Sequence, residues 1–292
     1  MLVLQALVNG LLLGGLYACI AVGFSLIWGV MNLINLAHGS FVLVGAYVTA
    51  TLNQAFGLDP FVTIPVSGAA LFIIGYVIQR GLINLVLARS VFATLIFTFG
   101  LNMLLVNLLL LVFTADVRGI TVSYGGLGWQ FGPVRVPYTR AAVFGVAVLL
   151  TAGLAIFTNC TRLGAAIKAT SFDVDAARLV GIDVDHIYAT TFAIGAAMAG
   201  MAGSLIAVVL AFSPVTGDSF TMKAFVVVVL GGLGSIPGAL AAGIILGIVD
   251  DLSSVLLDPG YRDAISFGVL LLVLVVSPRG LFGKRFYAEI QA

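Results

Sequence analysis

Residues 1–58 read MLVLQALVNGLLLGGLYACIAVGFSLIWGVMNLINLAHGSFVLVGAYVTATLNQAFGL and contain no Asp, Glu, Lys or Arg. The whole chain of 292 residues is 61% hydrophobic and only 9% charged, whereas a soluble domain carries about 25% charged residues. A soluble protein needs charges along its whole length to cover its surface, so this composition predicts a membrane protein. The 35 glycines suit closely packed transmembrane helices.

Charge-free runs mark the candidate spans, because a charge at the bilayer centre is costly and a spanning helix needs about 20 apolar residues. The first run is long enough for two spans. The sequence therefore predicts an all-α membrane protein, a polytopic helical bundle of about 7–8 spans with interrupted helices, forming one transmembrane domain over residues 1–292. The runs are 1–58, 60–79, 90–115, 141–161, 186–217, 224–249 and 264–278.

The positions of Lys and Arg predict the orientation, since cytoplasmic loops are enriched in these residues. If 80–89, 162–178 and the tail 279–285 are cytoplasmic, they hold eight basic residues against four outside. This favours a multi-pass protein with a cytoplasmic C-terminus. The eight are Arg80, Arg89, Arg162, Lys168, Arg178, Arg279, Lys284 and Arg285, and the four are Arg118, Arg135, Arg140 and Arg262.

The stretch near 220–257 predicts a re-entrant hairpin. The loops before and after this stretch must both lie outside, so it crosses the bilayer either twice or not at all. It is too long for no crossing and too short for two. Its apex is expected at Gly231–Gly238, with Ser235 capping the second arm and Pro237 in the first turn of that arm. Non-helical backbone at membrane depth survives only when it is buried in protein or beside water, so the apex is expected in the protein interior.

Four charged residues flank the predicted hairpin. Asp218, Lys223, Asp250 and Asp251 lie beside its two arms, where they either line an entrance or pair with one another.

Small residues recur every four positions in three stretches of the chain and predict close helix packing without a further function. They are Gly10 and Gly14, then Gly195, Ala199 and Gly203, then Ala239, Gly243 and Gly247.

The segment 161–186 is the largest charged connection in the chain. Its pattern predicts two short amphipathic helices at Ala165–Thr170 and Asp175–Val180, with Asp173 capping the second and Gly181 ending it. One interpretation is an ordinary solvated connection. The other is a docking site for a cytoplasmic partner, because about 25 residues is long for a simple turn.

Polar side chains interrupt the first apolar run at Asn32, Asn35, His38 and Ser40. These side chains are able to hydrogen-bond a polar solute, but a lone His in such a place is more often a satisfied structural residue than a proton relay. The sequence leaves both roles open.

Several chemistries have no support in the sequence. The net charge is +1 and the basic residues are dispersed, so no nucleic-acid partner is expected. Of the lysines only Lys284 follows a glycine, and Arg285 then stands where a phosphate-binding loop needs Ser or Thr. No HExxH, paired CxxC or GxSxG motif occurs either. The chain is therefore expected to be no enzyme and to need no cofactor or metal.

A series of motifs follows in order along the chain: Gly15–Ala18, Asn35–Gly39, Gly45–Tyr47, Arg162–Gly164, Lys168–Ala169, Asp173, Ala176–Ala177, Gly181–Ile182, Thr191–Gly195, Gly200–Gly203 and Gly231–Gly238. Together they resemble the integral membrane permeases of branched-chain amino acid ABC importers. The chain starts directly at its first span, which favours the shorter of the two permease types.

This resemblance implies an ATP-driven importer of branched-chain or related amino acids in which ATP is hydrolysed by another chain. The implied partners are a second permease of the longer type, two ATPase subunits, an extracytoplasmic solute-binding protein and the lipid bilayer. Segment 161–186 is then the coupling segment that docks on the ATPase. Its expected contact residues are Arg162, Gly164, Ala165, Lys168, Ala169, Asp173, Ala177 and Gly181.

A zwitterionic amino acid does not cross hydrocarbon cheaply, so its pathway must offer polar groups and broken helix ends. The pathway is therefore expected where apolar periodicity breaks, and a buried hinge is the competing interpretation of the same segments. The expected pathway residues are Asn32, Asn35, His38, Ser40, Gly231, Gly232, Gly234 and Ser235.

Other transport functions remain open on the sequence. The same permease family also serves urea, amides and other small polar solutes. An ion-coupled secondary transporter usually places ionisable residues at mid-membrane, where the first 58 residues offer only His38. A passive channel would not need the long docking segment.

Overall fold

A computed structural model describes residues 1–87, 91–257, 259–277 and 280–282. It is an all-α membrane protein, as the sequence predicts, with one short β-hairpin. The helices are α1 (Leu2–Met31), α2 (His38–Phe56), α3 (Pro60–Ile78), α4 (Asn84–Leu87, after a π-helical turn at Gln79–Ile83), α5 (Val91–Phe113), α6 (Tyr138–Cys160), α7 (Arg162–Phe172), α8 (Val174–Leu179), α9 (Val184–Val209), α10 (Gly217–Gly231), α11 (Ile236–Leu256) and α12 (Arg262–Val276). Strands β1 (Gly128–Phe131) and β2 (Val134–Pro137) pair antiparallel.

Within the described ranges, seven helical segments are long and apolar enough to cross a membrane. This makes the chain a polytopic membrane protein, and α2 and α12 add two further helices to the bundle. The seven segments are Leu2–Met31, Pro60–Ile83, Phe92–Phe113, Tyr138–Cys160, Val184–Val209, Pro214–Gly231 and Ile236–Leu256.

The bundle has two ends that differ in structure. Helix α6 starts directly after β2 and runs 23 residues to α7, which is about 34 Å. We call the end that carries β1 and β2 the β end, and the end that carries α7 and α8 the α7 end. Of the basic residues that predict the orientation, Arg89, Arg279, Lys284 and Arg285 lie outside the described residues.

Helix α1 forms the centre of the bundle, and 89% of its most apolar window is buried. It packs antiparallel along α11 with backbone contact at small residues. A Cβ on Gly10 would lie 2.6 Å from Ile248 Cα, and one on Gly14 would lie 2.5 Å from Ile244 Cα. The predicted small-residue faces are therefore confirmed as packing surfaces, since no side chain fits between these helices.

The predicted hairpin is present as α10 and α11, joined by residues 232–235. Ser235 caps α11 by accepting a hydrogen bond from the Gly238 N–H, and Pro237 lies in the first turn of that helix. The turn lies beside Gly29 near the end of α1. The last two residues of α10, Leu230 and Gly231, accept backbone hydrogen bonds from Leu281 and Phe282, which follow α12.

The hairpin therefore reaches the α7 end of the bundle instead of turning at mid-depth. With the charges at 218, 223, 250 and 251 taken as the ends of the arms, the predicted arms are too short for two crossings. In the structure these charges lie within α10 and α11. Helix α11 is long enough to span a membrane, whereas α10 starts beside Gly39 of α2 and runs to the turn at the α7 end.

The β end is tied together by contacts between loops. Arg118 and Phe212 form an isolated antiparallel bridge, and the Tyr124 hydroxyl donates to Asp59 Oδ2 at 2.7 Å. Burial, together with the neighbouring Asp59 carboxylate, raises the pKa of Tyr124 to about 12. Asp59 also caps α3 through the Phe61 N–H. These contacts join the loops that follow α2, α5 and α9.

Candidate functional site: a helix junction at mid-depth

The break between α1 and α2 folds back into the bundle. Helix α1 ends at Asn32, which has a left-handed φ of 49° and donates its N–H to Trp28 O. After this turn the chain runs back along α1, so that His38 Nε2 lies 2.9 Å from Ile20 O. Ile20 lies well inside the 30-residue α1, and helix α2 therefore begins near the middle of the bundle.

Helix α10 begins at the same place. The Gly39 N–H donates to Thr221 Oγ1 at 2.8 Å, and a Cβ on Gly39 would lie 1.9 Å from Gly217 O. Only glycine allows this approach, which brings the first turns of two helices into backbone contact. We call residues 32–40 together with 217–221 the helix junction.

A chain of side-chain hydrogen bonds leads from the helix junction to the surface of the subunit. Ser40 Oγ donates to Asn102 Oδ1 at 2.5 Å, and Asn102 Nδ2 donates to Asp218 Oδ1 at 2.9 Å. Ser40 and Asn102 are buried, whereas Asp218 is exposed. Asn102 lies 11 residues before Phe113, the last residue of α5, which is about 16 Å along the helix. This exposed carboxylate therefore lies at mid-depth of a spanning helix.

The predicted pathway residues of the first break are mostly buried. Asn35, His38 and Ser40 are fully buried, and Asn32 is exposed. Asn35 Oδ1 accepts from the Ala37 N–H. Asn35 Nδ2 and His38 Nδ1 have no hydrogen-bond partner in the part of the chain that the structure describes. Buried polar atoms of this kind usually bind water or another group, so the junction keeps unused hydrogen-bonding capacity at mid-depth.

The second group of predicted pathway residues lies elsewhere. Gly231 and Gly232 are buried, Gly234 is exposed with a φ of 78°, and Ser235 is partly exposed as the cap of α11. These residues form the turn at the α7 end, whereas the helix junction lies at mid-depth. The structure therefore does not bring the two predicted groups together.

Two of the charges that flank the hairpin, Lys223 and Asp250, pair with each other, whereas Asp251 lies 3.9 Å from Arg262 and Asp218 accepts from Asn102. Lys223 Nζ lies 2.6 Å from Asp250 Oδ2 and 3.1 Å from Asp263 Oδ1. The Asp250 side chain is fully buried and also accepts hydrogen bonds from the Tyr17 hydroxyl, at 2.9 Å, and from Ser266. This buried cluster joins α1, α10, α11 and α12, and its role is pairing, one of the two interpretations that the sequence leaves open.

The segment 161–186 forms two short helices, as predicted, with slightly different bounds. Thr161 caps α7 by accepting from the Gly164 N–H. Asp173 caps α8 by accepting from the N–H groups of Asp175 and Ala176. Gly181, with a φ of 83°, ends α8.

The predicted coupling residues divide into buried and exposed groups. A Cβ on Gly164 would lie 2.5 Å from Phe157 O and Thr158 O, so Gly164 allows the corner between α6 and α7. Ala177 is buried, and Ala169 is partly buried. The exposed members are Arg162, Ala165, Lys168, Asp173 and Gly181, and Lys168 Nζ donates to Asn159 Oδ1 at 2.5 Å.

Large apolar side chains are also exposed on this segment, and their exposure is not evident from the sequence. Leu179 is 89% exposed and Val180 is 76% exposed, at the end of α8. Leu163 on α7 is 42% exposed. We call these three residues the apolar patch. Large apolar residues exposed on a segment that also carries exposed charges are typical of protein–protein contact.

Asn102 and Asp218 were missed as a pair because their contact spans 116 residues. One signal was available. Asn102 stands near the middle of the apolar run 90–115, and a polar side chain in a transmembrane helix usually bonds to another helix. Periodicity does not identify the partner of such a side chain.

Residues 6–274 match the family described as branched-chain amino acid transport system / permease component. The chain is 34% identical to the high-affinity branched-chain amino acid transport system permease protein BraD of Pseudomonas aeruginosa, over 96% of each chain. It is 35% identical to the corresponding permease protein LivH of Escherichia coli strain K12, also over 96% of each chain.

The chain is also similar to a second permease protein of that bacterium. It is 30% identical to LivM of Escherichia coli strain K12, over 91% of this chain and 67% of LivM. The comparison with solved structures found no match. The family match covers most of the chain, including the helix junction and both short helices α7 and α8. The chain belongs to the family of branched-chain amino acid transport permeases.

Proposed function

We propose that this chain is a permease subunit of an ATP-driven ABC importer that moves branched-chain or related aliphatic amino acids across the bacterial inner membrane. The observation that carries this proposal is its similarity, over 96% of its length, to two permease proteins named for that transport. ATP is hydrolysed by a separate subunit, since the sequence offers no phosphate-binding loop. Urea or amides are the alternative cargo.

The proposed complex contains a second permease, two ATPase subunits and an extracytoplasmic solute-binding protein. The similarity of the chain to both LivH and LivM supports pairing of two related permeases. In this assembly residues 1–292 act as one permease domain. The α7 end and the C-terminus face the cytoplasm, and the β end faces the solute-binding protein.

The function is tested by reconstituting the chain with its proposed partners in liposomes that contain ATP. We expect uptake of leucine that requires ATP and the solute-binding protein, and that an excess of urea or acetamide does not reduce. Leucine accumulation by the chain alone, without ATP, would contradict the proposal. Loss of leucine uptake in the presence of urea would favour the alternative cargo.

We place the translocation pathway along the helix junction, with Asp218 facing it. A charged side chain at membrane mid-depth is costly in lipid and is normally found facing protein or a water-filled cavity. Asp218 is exposed on this subunit and is held by Asn102, which Ser40 supports in turn. A carboxylate in this position suits the ammonium group of an amino acid. The first turns of α2 and α10 add the broken helix ends that many transporters use.

Replacing Asp218 with Asn is expected to reduce ATP-driven leucine uptake about tenfold or more, since a hydrogen bond to a charged group contributes about 1.5–3 kcal/mol. The matched control is Asp116→Asn, which removes an exposed carboxylate that accepts from Thr114 at the β end. Uptake rates in the reconstituted complex measure the effect. Equal uptake by the two variants would contradict the assignment of Asp218.

We propose that segment 161–186 docks on the ATPase through the apolar patch and the exposed coupling residues. The patch supplies apolar contact area, while Arg162 and Lys168 orient the contact electrostatically. The caps at Thr161 and Asp173 hold α7 and α8 as short rigid elements. Closure of the ATPase would thereby move α6 and α9, which flank the segment.

Replacing Leu179 with Ser is expected to reduce ATP-driven uptake about tenfold, because exposed anchors of an interface often contribute 2 kcal/mol or more to binding. The amount of folded chain in the membrane should stay normal, since Leu179 is 89% exposed. The control is Leu127→Ser, which changes an exposed leucine at the β end. Normal uptake and normal copurification of the ATPase with Leu179→Ser would exclude this docking surface.

A further inference from the structure

A cleft opens at the β end, between the ends of five helices. Its interior volume is about 90 Å³, and the cleft opens to the surface of the subunit. Its walls combine aliphatic and charged side chains. The lining residues are Leu12, Leu13 and Leu16 of α1, Arg140 and Val143 of α6, Val209 and Leu210 at the end of α9, Asp251 of α11 and Arg262 of α12.

The charged residues of the cleft are only partly paired. Arg262 Nη2 lies 3.9 Å from Asp251 Oδ1 and donates to Ser254 Oγ at 3.0 Å. Arg262 Nε is buried and has no hydrogen-bond partner within the described residues. Arg140 lines the same cleft. Two arginines and one aspartate thus line the cleft, and the buried Arg262 Nε is an unused donor for an anion.

The remaining wall is aliphatic. Leu12, Leu16 and Val143 are buried, and Leu13 and Val209 are partly exposed beside them. A ligand that fits this lining has an anionic group for the arginines, a cationic group for Asp251 and a short aliphatic part. An α-amino acid with an aliphatic side chain has these three features within one small molecule.

We propose that this cleft is a binding site for free aliphatic α-amino acids, in which Arg140 and Arg262 hold the carboxylate and Asp251 holds the ammonium. The inference rests on the proposed function for its choice of substrate class. The cleft is distinct from the helix junction, which lies at mid-depth. It would receive the solute at the β end before the solute reaches the junction.

The test measures binding of radiolabelled leucine to the full chain in nanodiscs of phosphatidylcholine, without ATP. We expect Arg140→Gln to weaken leucine binding about tenfold or more, the usual size for loss of a charge-assisted hydrogen bond. This variant is not expected to disturb the fold, since Arg140 is only partly buried and lies in the first turn of α6. Arg135→Gln on β2 is the matched control and should bind as the original chain does.

Two analogues separate recognition of the charges from recognition of the aliphatic part. 3-Methylbutylamine lacks the carboxylate and 4-methylpentanoate lacks the ammonium, so both should compete weakly with leucine. Arg140→Gln should abolish the preference for leucine over 3-methylbutylamine, and Asp251→Asn the preference over 4-methylpentanoate. Val209→Phe, which fills the cleft without changing its charge, should also weaken binding.

Unchanged leucine binding in Arg140→Gln and Val209→Phe would overturn the proposal, even where the complete importer transports leucine normally. A second result would also overturn the proposal: phospholipid bound in phosphatidylethanolamine nanodiscs, with this binding lost in Arg140→Gln and with no leucine binding. The cleft would then be a site for a lipid headgroup. Leucine binding that depends on Arg140, in a system without ATP-driven uptake, would support the cleft and contradict only the proposed function.

Discussion

Lys223→Met is expected to destabilise the protein by about 3–5 kcal/mol, because it leaves a buried carboxylate without its cation. Asp250 is fully buried, and Lys223 lies 2.6 Å from it. After the substitution, the Asp250 carboxylate would keep, among the described residues, the hydroxyl groups of Tyr17 and Ser266 as its hydrogen-bond donors. The midpoint of thermal unfolding of the detergent-purified chain measures the effect.

Two further variants make this prediction specific. Arg178→Met removes a cation whose pair with Asp175 is exposed on α8, and it should leave the unfolding midpoint almost unchanged. The double variant Lys223→Met, Asp250→Leu removes both charges and should recover most of the lost stability. If Lys223→Met and Arg178→Met were equally stable, the buried cluster would contribute nothing to the fold.

Gly203→Ala is expected to destabilise the contact between α2 and α9 by about 3 kcal/mol, at the upper end of the usual cost of overpacking. A Cβ on Gly203 would lie 1.9 Å from Val42 O and 2.8 Å from Ala46 N. Both atoms are backbone, so the two helices must move apart. The yield of folded chain and its unfolding midpoint should both decrease.

Gly153→Ala on α6 is the control, because a Cβ there meets no atom within 4 Å. This variant should be neutral or slightly stabilising, since alanine is the better helix former. A similar loss of stability in the two variants would show that the close approach of α2 and α9 is not needed.

Hydropathy was sufficient to predict the bundle, because the cost of charges in lipid leaves long apolar runs in the sequence. It misled the prediction at the hairpin, where Lys223 and Asp250 neutralise each other inside the helices. A charge that has a buried partner no longer marks the end of a span. The sequence does not show that pairing, since the two residues stand 27 positions apart on different helices.

The candidate site was predictable only in part for a related reason. The break at 32–40 is visible as polar residues in an apolar run, and the structure places it at mid-depth beside Ile20. Its exposed charge comes from Asp218, on a helix about 180 residues later in the chain. Likewise, the caps at Thr161 and Asp173 follow local rules, whereas the exposure of Leu179 depends on how α8 packs against its neighbours.

The central position of α1 has a consequence for biosynthesis. This helix is made first, yet its closest contacts are with residues such as Gly243 on α11, which packs against Ala18. At about 5–20 residues per second, the ribosome reaches Gly243 on the order of 10–45 s after Ala18. During that interval the small-residue surface of α1 contacts lipid or the insertion machinery. The nascent chain must therefore leave the α11-facing side of its innermost helix uncovered until translation is nearly complete, when α11 packs against it.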